Sequence, residues 1–198
     1  MELILIRHAR PERVEGAAGG ADPGLTKAGV HQAEAMAEWM SIEVLDALYV
    51  SPMARARETS RPLESVLGMD ATVVPEVREF DAEDPSYIPL EDLRADKEQW
   101  KSYVASEGVS DRSEFFDAVN RSLTEIVARH RGERVVVVCH GGVINAYASS
   151  VLGLPPRLFF NPDYTSINRF MIASSGDRSV RSLNDIGHLR PHPHLILR

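Results

Sequence analysis

The chain contains almost no cysteine. Cys139 stands alone among 198 residues, which excludes an internal disulfide and makes a reducing compartment, the cytoplasm, the expected location. No apolar stretch approaches the roughly 20 residues needed to cross a bilayer, and an acid at position 2 leads straight into a strand pattern. Neither an export signal nor a membrane partner is expected. The 22 Lys and Arg against 29 Asp and Glu give a net charge of -7 without any basic run. That balance argues against nucleic acid as a partner. There is no Gly-x-x-x-x-Gly-Lys-Ser/Thr loop, and no Cys/His cluster has zinc-ligand spacing, so the commonest metal-dependent phosphoryl-transfer designs are excluded and no metal or cofactor is expected. His188, His192 and His194 near the carboxyl end read as a solvated tail. Cys139 reads as a buried strand residue, because Asn145 stands six positions on, where a cysteine-dependent phosphatase needs an arginine.

Two apolar runs, each followed by a histidine, dominate what is present. Leu3-Ile4-Leu5-Ile6 precedes Arg7-His8, and Val135-Val136-Val137-Val138-Cys139 precedes His140-Gly141-Gly142. Short unbroken apolar runs are strands buried on both faces, and parallel α/β sheets hold ligands just beyond the carboxyl ends of such strands. Both histidines are thereby placed at the rim of one site. Strand patterns alternate with helical ones along the chain. Further strands are expected at 47–50, 71–74, 169–173 and 180–183. Thr26 is positioned to cap a helix with Ala33, Met36, Ala37 and Met40 inward. Ser51-Pro52 has the form of an N-cap followed by proline at the first helical position, and Gly68 supplies the stop. Asp111-Arg112-Ser113-Glu114 has a capping-box pattern ahead of helical spacing at Phe115, Val119, Leu123 or Ser122, Ile126 and Val127. The expected fold is a three-layer α/β/α sandwich with a mostly parallel central sheet, one domain over 1–198. The acidic, aromatic segment at about 76–110 is a candidate lid.

Charge placement points to chemistry. Arg55 and Arg57 fall in the first turns of a helix, where the macrodipole already makes the potential positive. A nearby anion resolves that conflict, and Arg7 beside His8 adds a second planar fork of donors. The alternative is surface arginines paired with Glu58 or other acids, the preferred reading for Arg57. A neutral imidazole can attack phosphorus while cations stabilise the charge spread over the equatorial oxygens.

These residues carry a family resemblance. Leu5-Ile6-Arg7-His8-Ala9 resembles the Arg-His-Gly signature of the histidine phosphatase superfamily, the phosphoglycerate mutase-like proteins. Leu25-Thr26-Lys27-Ala28-Gly29 with Gln32-Ala33 resembles that family's Leu-Thr-x-x-Gly-x-x-Gln-Ala, and Ser51 to Thr59 resembles its Ser-Pro-Leu-x-Arg-Ala-x-x-Thr. Val138-Cys139-His140-Gly141-Gly142 completes an ordered set. The resemblance implies a phosphohistidine mechanism with His8 as nucleophile and with Arg7, Arg55 and His140 binding the phosphoryl oxygens. It also implies an acid after the third strand. Glu79, in Val77-Arg78-Glu79, is the best match for protonating the leaving oxygen and then activating water, with Asp81 the second choice.

Ala9 replaces the signature glycine, and Arg10, Pro11 and Val14 occupy later signature positions. Arg10 either contacts substrates with a second negative group or pairs with Glu12. Tyr87, Trp100 and Tyr103 either wall the substrate or pack the lid. The expected function is a metal-independent phosphomonoester hydrolase acting on a small phosphorylated substrate. The alternatives are phosphoglycerate mutase-type transfer and a non-catalytic phosphate-binding module. A monomer or homodimer is expected.

Overall fold

A computed structural model describes residues 1–107 and 112–196. The apolar runs form the middle of a sheet ordered β3-β2-β4-β1-β5-β6. β1 spans Glu2–Arg7, β2 Ala47–Val50, β3 Thr72–Val73, β4 Arg134–Cys139, β5 Ile167–Ile172 and β6 Arg178–Asp185. Strands β3, β2, β4 and β1 pair in parallel, β5 is antiparallel to both its neighbours, and so five of the six point the same way. The expected sandwich is the observed fold, extended at one edge by an antiparallel pair.

Strand alternation explains the two covered faces. Leu3, Leu5, Val135, Val137 and Cys139 point into one core with α5 (Ser113–Arg129) and α6 (Gly141–Leu152). Ile4, Ile6, Val136 and Val138 point into the other, with α1 (Lys27–Met40) and α2 (Ala54–Leu67). All nine are fully buried. At about 1.5–3 kcal/mol for each large aliphatic side chain removed from water, these central strands anchor both layers.

The helix ends show where local signals held. Thr26 caps α1 by accepting the Gly29 N–H at 3.0 Å, and Gly68 and Gly153 end α2 and α6 in left-handed backbone. Ser51 is not the N-cap of α2. The helix starts at Ala54, whose N–H donates at 2.8 Å to Asp22 Oδ1, a carboxylate 32 residues away that no local pattern could reveal. On α5 the inward residue is Phe116, while Phe115 is half-buried against Phe80; Asp111 of the expected capping box lies outside the described residues.

The segment expected as a lid holds a 3-10 turn at Pro75–Val77 and the short helices α3 (Leu90–Ala95) and α4 (Lys97–Glu107), with 108–110 outside the described residues. It is stitched to the loop after β1. Val14 and Tyr87 exchange backbone hydrogen bonds at 3.0 and 2.8 Å, and Ala17 and Ala21 donate to Pro85 and Asp84 carbonyls. His188, expected in a solvated tail, is buried beside Thr165.

Candidate active site

Three neighbouring strand ends build the site. The His8 N–H donates to the Cys139 carbonyl at 2.9 Å, and the Ser51 N–H to the Val138 carbonyl at 3.0 Å, so His8, Ser51 and His140 emerge side by side. The His8 and His140 rings are 5.2 Å apart between centroids.

The His8 tautomer follows from one contact. Its Nδ1 lies 2.8 Å from the Ala9 carbonyl, and a carbonyl only accepts, so Nδ1 carries the proton and Nε2 keeps its lone pair. Burial lowers the His8 pKa well below its ordinary value, and the Arg55 and Arg7 charges push the same way. The imidazole is neutral at physiological pH. His140 is likewise held neutral, by burial and then by Arg55 and His8.

The loop that carries the nucleophile candidate is held by the other motif residues. Ala9 N–H donates to Thr59 Oγ1 at 2.9 Å, and that hydroxyl donates to the Arg55 carbonyl at 2.7 Å. Arg10 N–H donates to Gln32 Oε1 at 2.9 Å. A Cβ on Gly29 would stand 2.1 Å from the Arg10 carbonyl oxygen, so only glycine lets α1 approach this loop.

Two guanidiniums flank the imidazoles. Arg7 Nη1 donates to the Pro162 carbonyl, and its carbon lies 4.3 Å from the Tyr164 ring centre. Arg55 is fully buried, stacks 4.6 Å from the Tyr87 ring centre and pairs through Nη2 with Asp81 at 3.3 Å. The alternative partner, Glu58, instead accepts the Leu25 N–H at 2.7 Å. Among the described residues, Arg7 Nε, Arg55 Nε and Nη1, and His140 Nδ1 are buried without hydrogen-bond partners, Nη1 having the Asp22 carboxylate 4.0 Å away. Buried donors are normally satisfied. Four donors free of hydrogen bonds beside the His8 imidazole make an electropositive cradle suited to an oxyanion.

Glu79 sits at the start of α6. Its Oε2 accepts the Gly142 N–H at 2.8 Å and its Oε1 the Phe80 N–H at 3.2 Å. A Cβ on Gly142 would lie 2.1 Å from Glu79 Oε1. Burial, reinforced by the Asp81 charge, raises the Glu79 pKa to about 7, against the pull of the Gly142 N–H and Arg55. A carboxyl poised near neutrality can give a proton and take it back. Asp81 is committed to its ion pair with Arg55.

The cavity over these groups measures about 1380 Å³, and Arg7, His8, Arg55 and Glu79 line it. Arg10 does not. It pairs with Glu91 at 3.1 Å and Asp92 at 3.3 Å on α3, rather than with Glu12. Tyr87 and Trp100 do line the cavity; the Tyr103 side chain lies outside the described residues. Sequence reasoning missed Ser51, whose Oγ is 2.6 Å from His140 Nε2, and Tyr164. The Ser51 signal was present, but a serine before proline reads equally as a cap.

An α/β sandwich bearing paired imidazoles and two guanidiniums at the carboxyl edge of its parallel strands defines an oxyanion-binding protein of the phosphoryl-transfer type. The chain belongs to the histidine phosphatase superfamily (branch 1), whose family model matches residues 3–186. It is 28% identical over 170 residues to Phosphoserine phosphatase 1 of Hydrogenobacter thermophilus, covering 81% of each chain. It is 26% identical over 168 residues to a probable phosphoglycerate mutase, GpmB, of Serratia proteamaculans, covering 78% of this chain and 76% of the other. In fold it is similar to a putative alpha-ribazole-5'-P phosphatase from Escherichia coli, with a TM-score of 0.75 at 23% identity over 93% of this chain and 97% of that one.

Proposed function

We propose that the protein is a metal-independent phosphomonoesterase that works through a phosphohistidine on His8. The observation that carries this reading is the fixed His8 tautomer beside a carboxyl of near-neutral pKa and four buried donors free of hydrogen bonds among the described residues. Each element has a role. Arg7, Arg55 and His140 Nδ1–H hold the phosphoryl oxygens, and the Ser51 hydroxyl orients the His140 ring through Nε2. His8 Nε2 attacks phosphorus, the bond to the ester oxygen breaks, and that oxygen takes the Glu79 proton. Glu79, now ionised, takes a proton from water as the water oxygen attacks the phosphohistidine. The P–N bond breaks, phosphate leaves, and Nε2 regains its lone pair.

The guanidiniums supply the positive charge that a divalent ion provides in other phosphoryl-transfer sites. In this reading α3 and α4 form the lid, Arg10 ties that lid to the loop after His8, and the buried thiol of Cys139 suits a cytoplasmic protein. A carboxyl able to activate water favours hydrolysis over mutase-type retention of the intermediate.

The test is hydrolysis of p-nitrophenyl phosphate in EDTA, with the intermediate trapped under alkaline conditions. Turnover that survives the chelator, with acid-labile label on wild-type protein and none on His8→Ala, is expected. Chelator-sensitive turnover, or label retained in His8→Ala, overturns the reading.

A further inference from the structure

We infer that the leaving group this enzyme accepts best is bulky and aromatic or otherwise apolar, rather than a small carboxylate-bearing alcohol. The inference rests on the proposed phosphatase reading and concerns the half of the cavity that the phosphoryl clamp does not use.

Glu79 fixes where the leaving group must be. If its carboxyl protonates the ester oxygen, the organic part of the substrate lies beside the two groups that hold that carboxyl, Phe80 and Gly142. Both are flanked by aromatic wall. Phe80 packs edge-on against Phe115 with ring centres 5.7 Å apart, and Phe159 and Phe160 lie 4.9 Å apart. All four rings line the cavity together with Leu158 and Ile88.

The Phe159-Phe160 pair is anchored in place. Asn145, one turn along α6 from Gly141, accepts the Phe159 N–H at 2.8 Å and the Phe160 N–H at 3.2 Å through Oδ1. Its Nδ2 donates to the Phe160 carbonyl at 2.9 Å and the Gly141 carbonyl at 2.8 Å. One buried amide therefore registers the aromatic pair against the backbone that positions Glu79. A preformed apolar wall ordered in this way binds apolar surface without first paying to organise itself.

Charge and size point the same way. Of the cations that line the cavity outside the clamp, Arg78 is ion-paired with Glu83 at 2.7 Å, while Arg112 and Arg94 lie over aromatic rings, 4.1 Å from the Phe80 centre and 5.3 Å from that of Trp100, and so extend the aromatic wall. Glu76, Glu83, Asp84 and Glu114 also line it, and they disfavour a second negative group. A leaving group of glycerate size would reach little of the aromatic wall that lines this cavity.

The experiment compares esters of ordinary alcohols, so that leaving-group acidity does not decide the outcome. Values of kcat/KM are measured for 2-phenylethyl phosphate, O-phosphoserine and 3-phosphoglycerate, and dissociation constants for 2-phenylethylphosphonate and methylphosphonate. The expected preference is at least about tenfold for the phenylethyl compound in both series. Phe159→Ala collapses both ratios, and Phe159→Leu, which keeps the bulk, retains part of each. Equal or reversed ratios overturn the inference. Absence of turnover with all three esters, but with the phosphonate preference intact, overturns the phosphatase reading while leaving the apolar subsite standing.

Discussion

Thr165 holds a left-handed backbone with φ 56° while its hydroxyl lies 2.9 Å from His188 Nε2. A β-branched residue seldom adopts this conformation, and such strain persists only where surroundings enforce it. The hydroxyl proton is given to the Tyr164 carbonyl at 2.7 Å, so His188 Nε2 must be the donor. The strained residue joins the site on its other side, since the Thr165 N–H points to the His8 carbonyl at 3.4 Å and Tyr164 covers Arg7. Removing the pin in His188→Ala is expected to cost roughly 1–3 kcal/mol. Chemical denaturation measures it; His188→Asn recovers part of the loss if the hydrogen bond, rather than filled volume, matters.

The same histidine predicts a pH dependence. Burial lowers its pKa to about 4, against an ordinary value of 6.5 and against the pull of the Asp185 charge, because a second proton would sit on Nδ1, which has no hydrogen-bond partner among the described residues. The unfolded chain therefore binds the proton first. The stabilising contribution is complete above pH 6.5 and is lost as pH falls from there through 4. His8 and His140 are shifted in the same direction and add to the slope. Urea midpoints at pH 7.5 and 5 should separate for the wild type and separate less for His188→Ala. Equal separation in the two proteins would show that other groups control the transition.

For Glu79, proton donation to the leaving oxygen requires the acid form, whose pKa is about 7. With alkyl phosphates, kcat/KM is expected to fall as pH rises through 7, while the second ionisation of the ester near 6 shapes the acid side. Glu79→Gln should lose roughly 10²–10⁴ in kcat/KM for an alkyl ester. The loss should be much smaller for an aryl ester, whose oxygen departs without a proton. Similar losses for both esters would assign Glu79 to positioning alone.

The central sheet and the residues around His8 were legible because their signals are dense and local. The two apolar runs, four and five residues long, read as strands covered on both faces, and the motif residues His8 and His140 follow directly from their ends. What escaped was set by long-range contact. Asp22 caps α2 from a glycine-rich loop, and Ser51, which serves His140, is the residue type that a cap also uses. Phe159 and Phe160 sit between prolines with no period, so only their bonds to Asn145 disclose a wall. His188 precedes a stretch of polar and proline residues, Arg190 to His194, that resembles a solvated tail, yet it is buried.

Arg10 illustrates a charge whose purpose changes once its partners are visible. A cation after the nucleophile invites assignment to a second anionic group on the substrate, but Glu91 and Asp92 already neutralise it. Arg10→Ala is therefore expected to leave selectivity between singly and doubly anionic esters unchanged to within about twofold. Its effect should fall on the hold of α3, read as faster limited proteolysis between residues 85 and 107. Altered charge selectivity with unchanged proteolysis would return Arg10 to the substrate.

Gly142 separates binding from proton transfer. Its N–H holds Glu79, and an added Cβ would lie 2.1 Å from Glu79 Oε1 and 2.8 Å from the Phe80 ring. The glutamate side chain must yield first, because it is the movable partner, whereas α6 is packed into the core along its length. Gly142→Ala should therefore keep its affinity for orthovanadate, the probe for the proposed clamp of Arg7, Arg55 and His140, to within about threefold. Alkyl-ester turnover should drop by roughly the factor seen for Glu79→Gln. The two substitutions should also combine with less than additive loss, since each disables the same proton transfer. Fully additive losses would mean that Gly142 acts through the helix start rather than through Glu79.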